Sequence, residues 1–234
     1  METKWSHIIE QVVMELKKNP AIKGIILFGS LAQGKPHSYS DIDLYVIGEK
    51  QKDRVTCQMI EGVPVQIQYR SVEDFKVKIL KKTRSKPLCL TGKILYDPTG
   101  LVDENFKLAR EYALRDGPLK MSEEEIKMGQ ISLSQDVKSV RGLNEQGNFS
   151  GAVILMQELL IQALDLYYDY NSWWRPQNKQ LIEDLKERDP EMGKTAEGVL
   201  IGKKIEDKME NLTEIREQIL GILGGEIGEY ELEF

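Results

Sequence analysis

The pattern of apolar and polar positions changes about halfway along the chain. In the first part, short apolar runs rich in β-branched residues alternate with amphipathic segments, whereas beyond Asp103 only helical spacings of three and four remain. The sequence therefore predicts an α/β (α+β) domain with a small mixed sheet, followed by an all-α helical bundle. The boundary is expected at the Asp116-Gly117-Pro118 turn, with domains at 1–116 and 117–225 and a loose acidic tail at 226–234.

Local signals place the elements of both parts. A helix is predicted over 5–16 and ends at Asn19-Pro20. Glu61-Gly62 separates two alternating segments and predicts a tight hairpin turn, and a capping pattern at Ser71 opens a helix over 71–83. The predicted strands are 23–28, 41–47, 54–60, 63–70 and 93–96, and the predicted later helices are 104–114, 122–143, 150–170, 177–188 and 193–223.

Composition narrows the class of protein and of substrate. The chain has 234 residues, of which 41% are hydrophobic and 30% are charged, a balance typical of a soluble globular protein. The formal net charge is −6, so the chain has no broad positive field to attract a phosphate backbone. A nucleic acid is therefore an unfavoured partner, and a small charged substrate stays open.

Several other classes are excluded at the level of sequence. Cys57 and Cys89 are the only cysteines, too few and too far apart for a zinc cluster or a disulfide framework. The N-terminal segment mixes charged and apolar residues and does not look like a signal peptide. We find no uninterrupted run of about 18 apolar residues, which argues against a membrane-spanning helix. A cytoplasmic protein is expected.

One stretch carries recognisable chemistry. Gly29-Ser30 follows the first predicted strand, and Asp41-Ile42-Asp43 opens the second. Side chains two residues apart on a strand share a face, so the two carboxylates project together and repel one another. Mg²⁺ removes that repulsion, because it prefers carboxylate oxygens together with substrate phosphates and water. The glycine lets the backbone approach a phosphate, and the serine offers a hydroxyl and backbone N–H groups, so one phosphate and metal site is predicted.

These residues resemble the motif of the DNA polymerase beta-like nucleotidyltransferase superfamily. That motif is a hydrophobic residue and Gly-Ser, a spacer of about ten residues, and Asp-x-Asp at the start of a strand. Here it reads Phe28-Gly29-Ser30 and Asp41-Ile42-Asp43. The resemblance implies that both aspartates bind Mg²⁺ and that a nucleoside triphosphate, ATP among the candidates, lies over the Gly-Ser turn.

The chain departs from the superfamily pattern at a third position. Active members usually carry another carboxylate on a later strand, as a metal ligand or as the general base. The predicted strand over 63–70 has Gln66 and Gln68 on its polar face, where an acid is expected. An amide oxygen can coordinate Mg²⁺ or bind a hydroxyl, but it brings no negative charge and cannot take a proton at neutral pH. The departure puts metal affinity and catalysis in question.

The helical part offers another candidate base. Glu158 interrupts an apolar stretch, and a carboxylate buried there would need a partner or a role. The two-part architecture is similar to that of aminoglycoside and lincosamide nucleotidyltransferases, in which a C-terminal helical domain contributes to the acceptor site. Glu158 is therefore a candidate catalytic base, with a salt-bridged structural glutamate as the alternative.

Two functions follow from these residues. The first is Mg²⁺-dependent transfer of a nucleoside monophosphate from a nucleoside triphosphate to an acceptor hydroxyl, on a small molecule because the chain is acidic. The alternative is a catalytically weak or inactive nucleotidyltransferase fold that acts as a nucleotide-binding regulatory or antitoxin-like partner. An RNA-tailing enzyme would require a basic groove, which the sequence does not show.

Overall fold

The computed structural model describes residues 4–49 and 51–230. The chain divides into two compact units, Met1–Gly117 (unit 1) and Pro118–Phe234 (unit 2). The division falls at the Asp116-Gly117-Pro118 turn, where Gly117 has a φ of 64° that a residue with a side chain rarely adopts. Unit 1 contains a mixed sheet and unit 2 contains helices, as the hydrophobic pattern predicted.

Unit 1 is a five-stranded sheet in the order β3-β4-β2-β1-β5. The β2–β4 pair is parallel, and the pairs β1–β2, β1–β5 and β3–β4 are antiparallel. Its elements are α1 (Lys4–Lys17), β1 (Ile22–Phe28), α2 (Gly29–Ala32), β2 (Ile42–Gly48), β3 (Arg54–Ile60), β4 (Val63–Ser71), α3 (Val72–Ile79), α4 (Leu88–Thr91), β5 (Lys93–Tyr96) and α5 (Leu101–Asp116).

Alternation along the strands builds two separate apolar layers in unit 1. On one face of the sheet, Ile42 and Leu44 of β2 are fully buried in a cluster with Ile8 of α1. On the other face, Ile47 packs in a cluster with Phe75 of α3 and other residues of α3 and α5. Because successive side chains of a strand point to opposite faces, β2 is buried on both sides at its centre. Its N-terminal end carries the aspartates predicted to bind metal.

Strand β3 lies at the edge of the sheet and is exposed along most of its length. It forms a hairpin with β4 through Glu61 and Gly62, whose φ angles of 49° and 73° are both positive. Two positive φ values in a two-residue hairpin loop identify the turn as type I′, which matches the twist of the two strands. The predicted hairpin is therefore confirmed, and the turn sets the register of β3 against β4.

Unit 2 is a helical bundle, and each helix described between residues 118 and 230 contributes to its core. The predicted single helix over 193–223 is wrong: two helices separated by Gly202 cover this segment. The first of them begins before Gly193, because Asp189 caps it and Pro190 takes the first helical position. The helices are α6 (Glu123–Glu145), α7 (Phe149–Tyr170), α8 (Asn178–Arg188), α9 (Pro190–Ile201) and α10 (Ile205–Ile222).

Helix α7 does not fit the expectation that no helix of the chain could span a membrane. It has 22 residues, and an 18-residue window has a mean hydropathy of 1.4, so it is long and apolar enough to cross a membrane by length and composition. The expectation that no such segment exists is corrected on this point. The core helix of a soluble protein passes the same test, and α7 buries Leu159, Leu164 and Tyr168 in the core of the bundle.

A hydrogen-bonded junction joins α7 to the start of α9. The Tyr167 hydroxyl donates to Asp189 Oδ2 at 2.6 Å, while Oδ1 of the same carboxylate accepts the Met192 N–H at 3.1 Å and caps α9. The ring of Trp173 lies edge-on to that of Tyr167, with 5.8 Å between centroids. Burial, and then the hydrogen bond to Asp189, raise the pKa of Tyr167 to about 12.

The start of the predicted acidic tail is bound to the bundle rather than loose. Glu226 forms an ion pair with Arg216, and the Ile227 N–H donates to Ser134 Oγ at 3.2 Å. Arg216 also donates to the Leu133 carbonyl at 2.8 Å, which ties α10 to α6 at the same place. Residues 231–234 of the predicted tail lie outside the described residues.

Candidate functional site

The predicted glycine and one predicted aspartate are in direct contact in the structure. Strand β1 ends at Phe28, which pairs with Asp43 of β2. The chain then turns at Gly29, with a φ of +72°, into the single turn of α2. A Cβ atom added at Gly29 would overlap the Asp43 carboxylate, so this carboxylate lies directly over the glycine Cα. Only glycine satisfies both the backbone angle and this close approach.

The second predicted aspartate lies just before β2. Ile42 and Leu44 are fully buried on the α1 side of the sheet, whereas Asp41 and Asp43 are half-buried. This alternation is the one expected when the two aspartates share the opposite face of the sheet. Both carboxylates therefore stand at the end of the sheet where α2 begins.

A buried serine that the sequence reasoning missed holds this turn together. The Ser30 hydroxyl donates to Ser40 Oγ at 3.2 Å, and the His37 N–H donates to the same oxygen at 2.9 Å. The indole N–H of Trp5 donates to the Ser40 carbonyl at 3.2 Å. Ser40, directly before Asp41, thus links α1, the Gly-Ser turn and the loop at His37. Its position directly before the first aspartate was the available sequence signal, since small hydroxyl residues commonly stabilise loop ends.

These contacts change the role expected of Ser30. Ser30 is 7% exposed, and its hydroxyl oxygen lies 3.2 Å from Ser40 Oγ inside the protein. The hydroxyl therefore already has a partner within the protein. The backbone N–H groups at the start of α2 remain the donors suited to an anion. Phosphate binding by Gly29 and Ser30 stays a prediction, now assigned to their backbone.

Strand register identifies which glutamine stands at the position of the third carboxylate. In the parallel β2–β4 pair, Asp43 is level with Gln66, and Tyr45 is level with Gln68. Paired residues of neighbouring strands share a face, so the Gln66 side chain emerges beside that of Asp43. Cys57 of β3 is the next residue in this row, since it pairs with Gln66. The row Asp43, Gln66, Cys57 therefore contains one carboxylate.

The donors at this site suit a magnesium ion shared with a substrate. Within residues 4–49 and 51–230, no group of three or more His, Cys, Asp or Glu side chains forms a metal site. Mg²⁺ is usually held by one or two carboxylates, with phosphates and water completing its shell. Asp41 and Asp43 match that need, and the Asp43 carboxylate lies against the Gly29 Cα, where any side chain would displace it. The residues therefore fit the ion that the resemblance implies.

Arg70, at the C-terminal end of β4, and Lys78, on α3, are paired with carboxylates. Arg70 Nε lies 3.7 Å from Asp53 Oδ2 and 3.7 Å from Asp74 Oδ2. Lys78 Nζ lies 2.8 Å from the same Asp74 oxygen. The Arg70 guanidinium lies 5.9 Å from the centre of the Tyr45 ring, and burial raises the pKa of Tyr45. The two cations and the two carboxylates of this cluster cancel in charge, so the cluster does not form a basic channel toward the aspartates.

Glu158 does not have the surroundings on which its selection depended. It lies on α7 in unit 2, between residues that enter the core, but its own side chain is exposed. The prediction that Glu158 is buried is therefore wrong, and a solvated carboxylate needs no partner. A catalytic role for Glu158 stays a prediction that rests on the similarity of architecture alone.

A known protein family matches the sequence of unit 1. Residues 10–105 match the family model for polymerase beta nucleotidyltransferases. No curated protein matches the chain. Among solved structures, a nucleotidyltransferase-like protein from Exiguobacterium sibiricum 255-15 is 15% identical over 92% of this chain and 75% of its own, with a TM-score of 0.44. A toxin-antitoxin with AMP-PNP is 16% identical over 45% of this chain and 90% of its own, with a TM-score of 0.28.

The family match covers the elements that build the site. It spans most of α1 and the whole of β1 to β5, and it includes the Gly-Ser turn and both aspartates. The mixed sheet, the positive φ at Gly29 and the carboxylate above it are the structural counterparts of the sequence motif. Unit 1 of this chain is therefore a nucleotidyltransferase domain of the DNA polymerase beta-like superfamily.

Proposed function

We propose that this protein transfers a nucleoside monophosphate from a nucleoside triphosphate to a hydroxyl group of a small molecule, with Mg²⁺ as cofactor. The observation that carries the proposal is the contact between Gly29 and the Asp43 carboxylate. In support of the proposal, a glycine turn of the kind that binds phosphate and a carboxylate of the kind that binds a metal ion lie side by side there. Asp41 supplies the second carboxylate at the same end of the sheet.

The residues act mainly by binding and positioning. The backbone N–H groups at Gly29 and in the first turn of α2 would receive the triphosphate, next to the Asp43 carboxylate that lies over the Gly29 Cα. Asp41 and Asp43 would hold Mg²⁺, which supplies positive charge to the phosphate oxygens when bound. The acceptor oxygen forms a bond to the α-phosphorus, the bond from that phosphorus to the bridging oxygen breaks, and pyrophosphate leaves. Fixing both reactants in line supplies much of the rate enhancement in reactions of this kind.

The proton of the attacking hydroxyl needs a destination. Gln66 stands beside Asp43 and can accept a hydrogen bond from that hydroxyl through its amide oxygen, but it cannot take the proton. The proton therefore passes to water or to a base from outside the row of Gln66. Glu158 is the candidate for that base that the architecture of similar transferases suggests. We expect slow turnover where water takes the proton.

The charge of the chain favours a small acceptor over a nucleic acid. The net charge is −6, and Arg70 and Lys78, at the far end of β4 and on α3, are paired with Asp53 and Asp74. A nucleic acid would lose its counterions without gaining a basic surface in exchange. A single nucleotide needs only the local donors of the Gly29 turn and the metal.

The test is a calorimetric titration of ATP, GTP, CTP and UTP, each with and without Mg²⁺. The wild type is compared with the Asp41→Asn/Asp43→Asn double variant, and Asp103→Asn serves as control because Asp103 pairs with exposed Lys107 on α5. We expect Mg²⁺-dependent binding of at least one nucleotide by the wild type and the control, and loss of that binding in the double variant. No binding by the wild type, or equal binding by the double variant, would refute the proposed site.

A second function is favoured by one specific observation, the amide at Gln66. With no proton acceptor beside Asp43, the domain can bind a nucleotide and Mg²⁺ and still lack turnover, as a regulatory or antitoxin-like partner would. Pyrophosphate release measured across a panel of hydroxyl compounds separates the two functions. Release above the no-acceptor blank identifies an enzyme, whereas Mg²⁺-dependent binding without release identifies a nucleotide-binding module.

A further inference from the structure

The order of strands defines the side from which an acceptor reaches the α-phosphorus. If the proposed function holds, the pyrophosphate end of the nucleotide lies over Gly29, next to β1, and the α-phosphorus lies near Asp43 of β2. In phosphoryl and nucleotidyl transfer the entering and leaving oxygens are roughly in line. The acceptor therefore approaches from the opposite side, over Gln66 of β4 and then over β3, the edge strand.

The face of β3 on that side is apolar and uncovered. Val55 pairs with Gln68, Cys57 with Gln66 and Met59 with Pro64, so these three β3 residues share the face of Asp43 and form what we call the β3 strip. Val55 is 53% exposed and Met59 is 64% exposed. Strands lie ~4.8 Å apart, which places Cys57 ~10 Å from Asp43, two strands away.

The β3 strip is unusual for an exposed sheet edge. Edge strands commonly carry charged side chains that keep other molecules away, whereas Val55, Cys57 and Met59 offer only apolar groups and a thiol. The nearest charged side chains along this face, Arg70 and Asp53, are paired with one another. The strip is therefore a neutral apolar surface that adjoins the two half-buried amides of β4.

We propose that the β3 strip is the acceptor platform of the transferase. The acceptor is an uncharged alcohol whose carbon skeleton rests on Val55, Cys57 and Met59 and whose reacting hydroxyl is directed toward Gln66. Contact with the apolar side chains of the strip favours an apolar carbon skeleton. The three strip residues carry no charge, so they do not attract a cationic acceptor. The strip residues thus determine specificity and take no part in the chemistry.

The test uses simple probes on protein loaded with Mg²⁺ and a non-hydrolysable ATP analogue. Saturation-transfer NMR reports binding of 2-phenylethanol, of glycerol, which lacks an apolar part, and of 2-phenylethylamine, which carries a positive charge. Met59→Glu places a charge on the strip, and Gln58→Glu places the same charge one residue away on the opposite face of β3. Carboxymethylation with iodoacetate is a third perturbation, selective for Cys57 because Cys89 is fully buried.

We expect 2-phenylethanol to bind better than glycerol and 2-phenylethylamine. Met59→Glu and carboxymethylated Cys57 are expected to weaken it about tenfold, the scale of a lost small apolar contact in a specificity site, while Gln58→Glu leaves it unchanged. Binding of Mg²⁺ and the ATP analogue should be the same in all forms. Equal effects of Met59→Glu and Gln58→Glu, preference for the amine, or weakened nucleotide binding in Met59→Glu would each overturn the inference. Failure of the proposed function is distinct, because the wild type would then bind no nucleotide or would release no pyrophosphate with any acceptor, whatever its binding of 2-phenylethanol.

Discussion

Replacing Gly29 by alanine is the sharpest perturbation of the candidate site. The added methyl group would overlap the Asp43 carboxylate, and it would also lie 3.1 Å from Asp43 Cγ and 3.4 Å from Asp43 Cβ. The backbone at this position has a φ of +72°, where residues with a side chain are strained. The variant therefore combines a backbone effect with a direct displacement of a predicted metal ligand.

The chain supplies a matched control for the backbone effect. Gly34 has the same φ of +72°, and a Cβ atom there would meet nothing within 4 Å. A left-handed alanine costs ~1–2 kcal/mol, and its reduced freedom in the unfolded chain returns ~0.4–1 kcal/mol, so we expect Gly34→Ala to lose about 1 kcal/mol. The same amount applies to Gly29→Ala before any contact with Asp43 is counted.

The contact with Asp43 affects binding more than stability. Relief by moving the backbone would add about 1–3 kcal/mol, the usual range for overpacking, whereas rotation of the carboxylate away from its present rotamer costs about 1 kcal/mol. The cheaper response moves the metal ligand. We therefore expect Gly29→Ala to be only slightly less stable than Gly34→Ala but to bind Mg²⁺ and nucleotide at least tenfold more weakly.

Chemical denaturation measures the stability difference, and calorimetric titration with Mg²⁺ and the nucleotide that binds the wild type measures the affinity difference. The Gly34→Ala protein should match the wild type in affinity. If Gly29→Ala bound the nucleotide as tightly as Gly34→Ala does, the carboxylate over the glycine would have no part in binding, and the argument from this contact would fail.

Three further outcomes follow from particular contacts. Gly193→Ala should lower the free energy of unfolding of unit 2, measured in urea, by about 1–3 kcal/mol, because its Cβ would lie 2.7 Å from the backbone of α8. Gly221→Ala, whose Cβ would meet nothing within 4 Å, should raise that free energy by up to ~1 kcal/mol. Equal effects of the two variants would refute this prediction. The Tyr167 pKa of about 12 exceeds the unfolded value near 10, so the folded state binds more protons in that interval and the free energy of unfolding should fall as pH rises from 10 to 12. Tyr167→Phe, which leaves Asp189 without its hydroxyl partner, should flatten that alkaline slope, and an unchanged slope would contradict the assignment. Gln66→Glu should speed pyrophosphate release by about 10²-fold or more if the missing base limits the rate, with unchanged release as the opposing result.

The elements that could be predicted from sequence are those with local causes. The apolar run before Gly29 forms β1 because a strand buried on both faces needs few polar residues. The alternation of β4 follows from one buried and one half-buried face. The hairpin of β3 and β4 follows from Glu61 and Gly62, which take the two positive φ angles. Each of these signals lies within a few residues of the element that it predicts.

The features that could not be predicted depend on contacts between residues distant in the chain, or on helix ends that the sequence marks only weakly. The parallel pairing of β2 with β4 decides that Gln66 rather than Gln68 is level with Asp43, and no local pattern contains that register. Helices α9 and α10 were predicted as one because Gly202 is followed by two lysines and no proline, so the helical pattern continues across the break.

Glu158 is exposed, and not buried as predicted, for a reason that holds for helices in general. An apolar neighbourhood in sequence does not imply a buried position on a helix, since residues one apart point in directions that differ by about 100°. Glu158 and Ile154 lie four residues apart on α7, and both are exposed, although residues between and beside them enter the core. A carboxylate in such a stretch is therefore compatible with an ordinary solvated side chain.

The amide of Gln66 is compatible with nucleotide binding but does not meet the need of turnover for a proton acceptor. Binding of a nucleotide with Mg²⁺ needs a phosphate cradle and one or two carboxylates, and we propose Gly29, Asp41 and Asp43 for these two roles. Turnover further needs a proton acceptor, worth about 10²–10⁴-fold in rate, and the position beside Asp43 does not supply it. A wild type that releases pyrophosphate faster on changing Gln66 to Glu is an enzyme limited by its base. A wild type that turns over without benefit from that change takes its base from elsewhere, and loss of release in Glu158→Gln would then identify it.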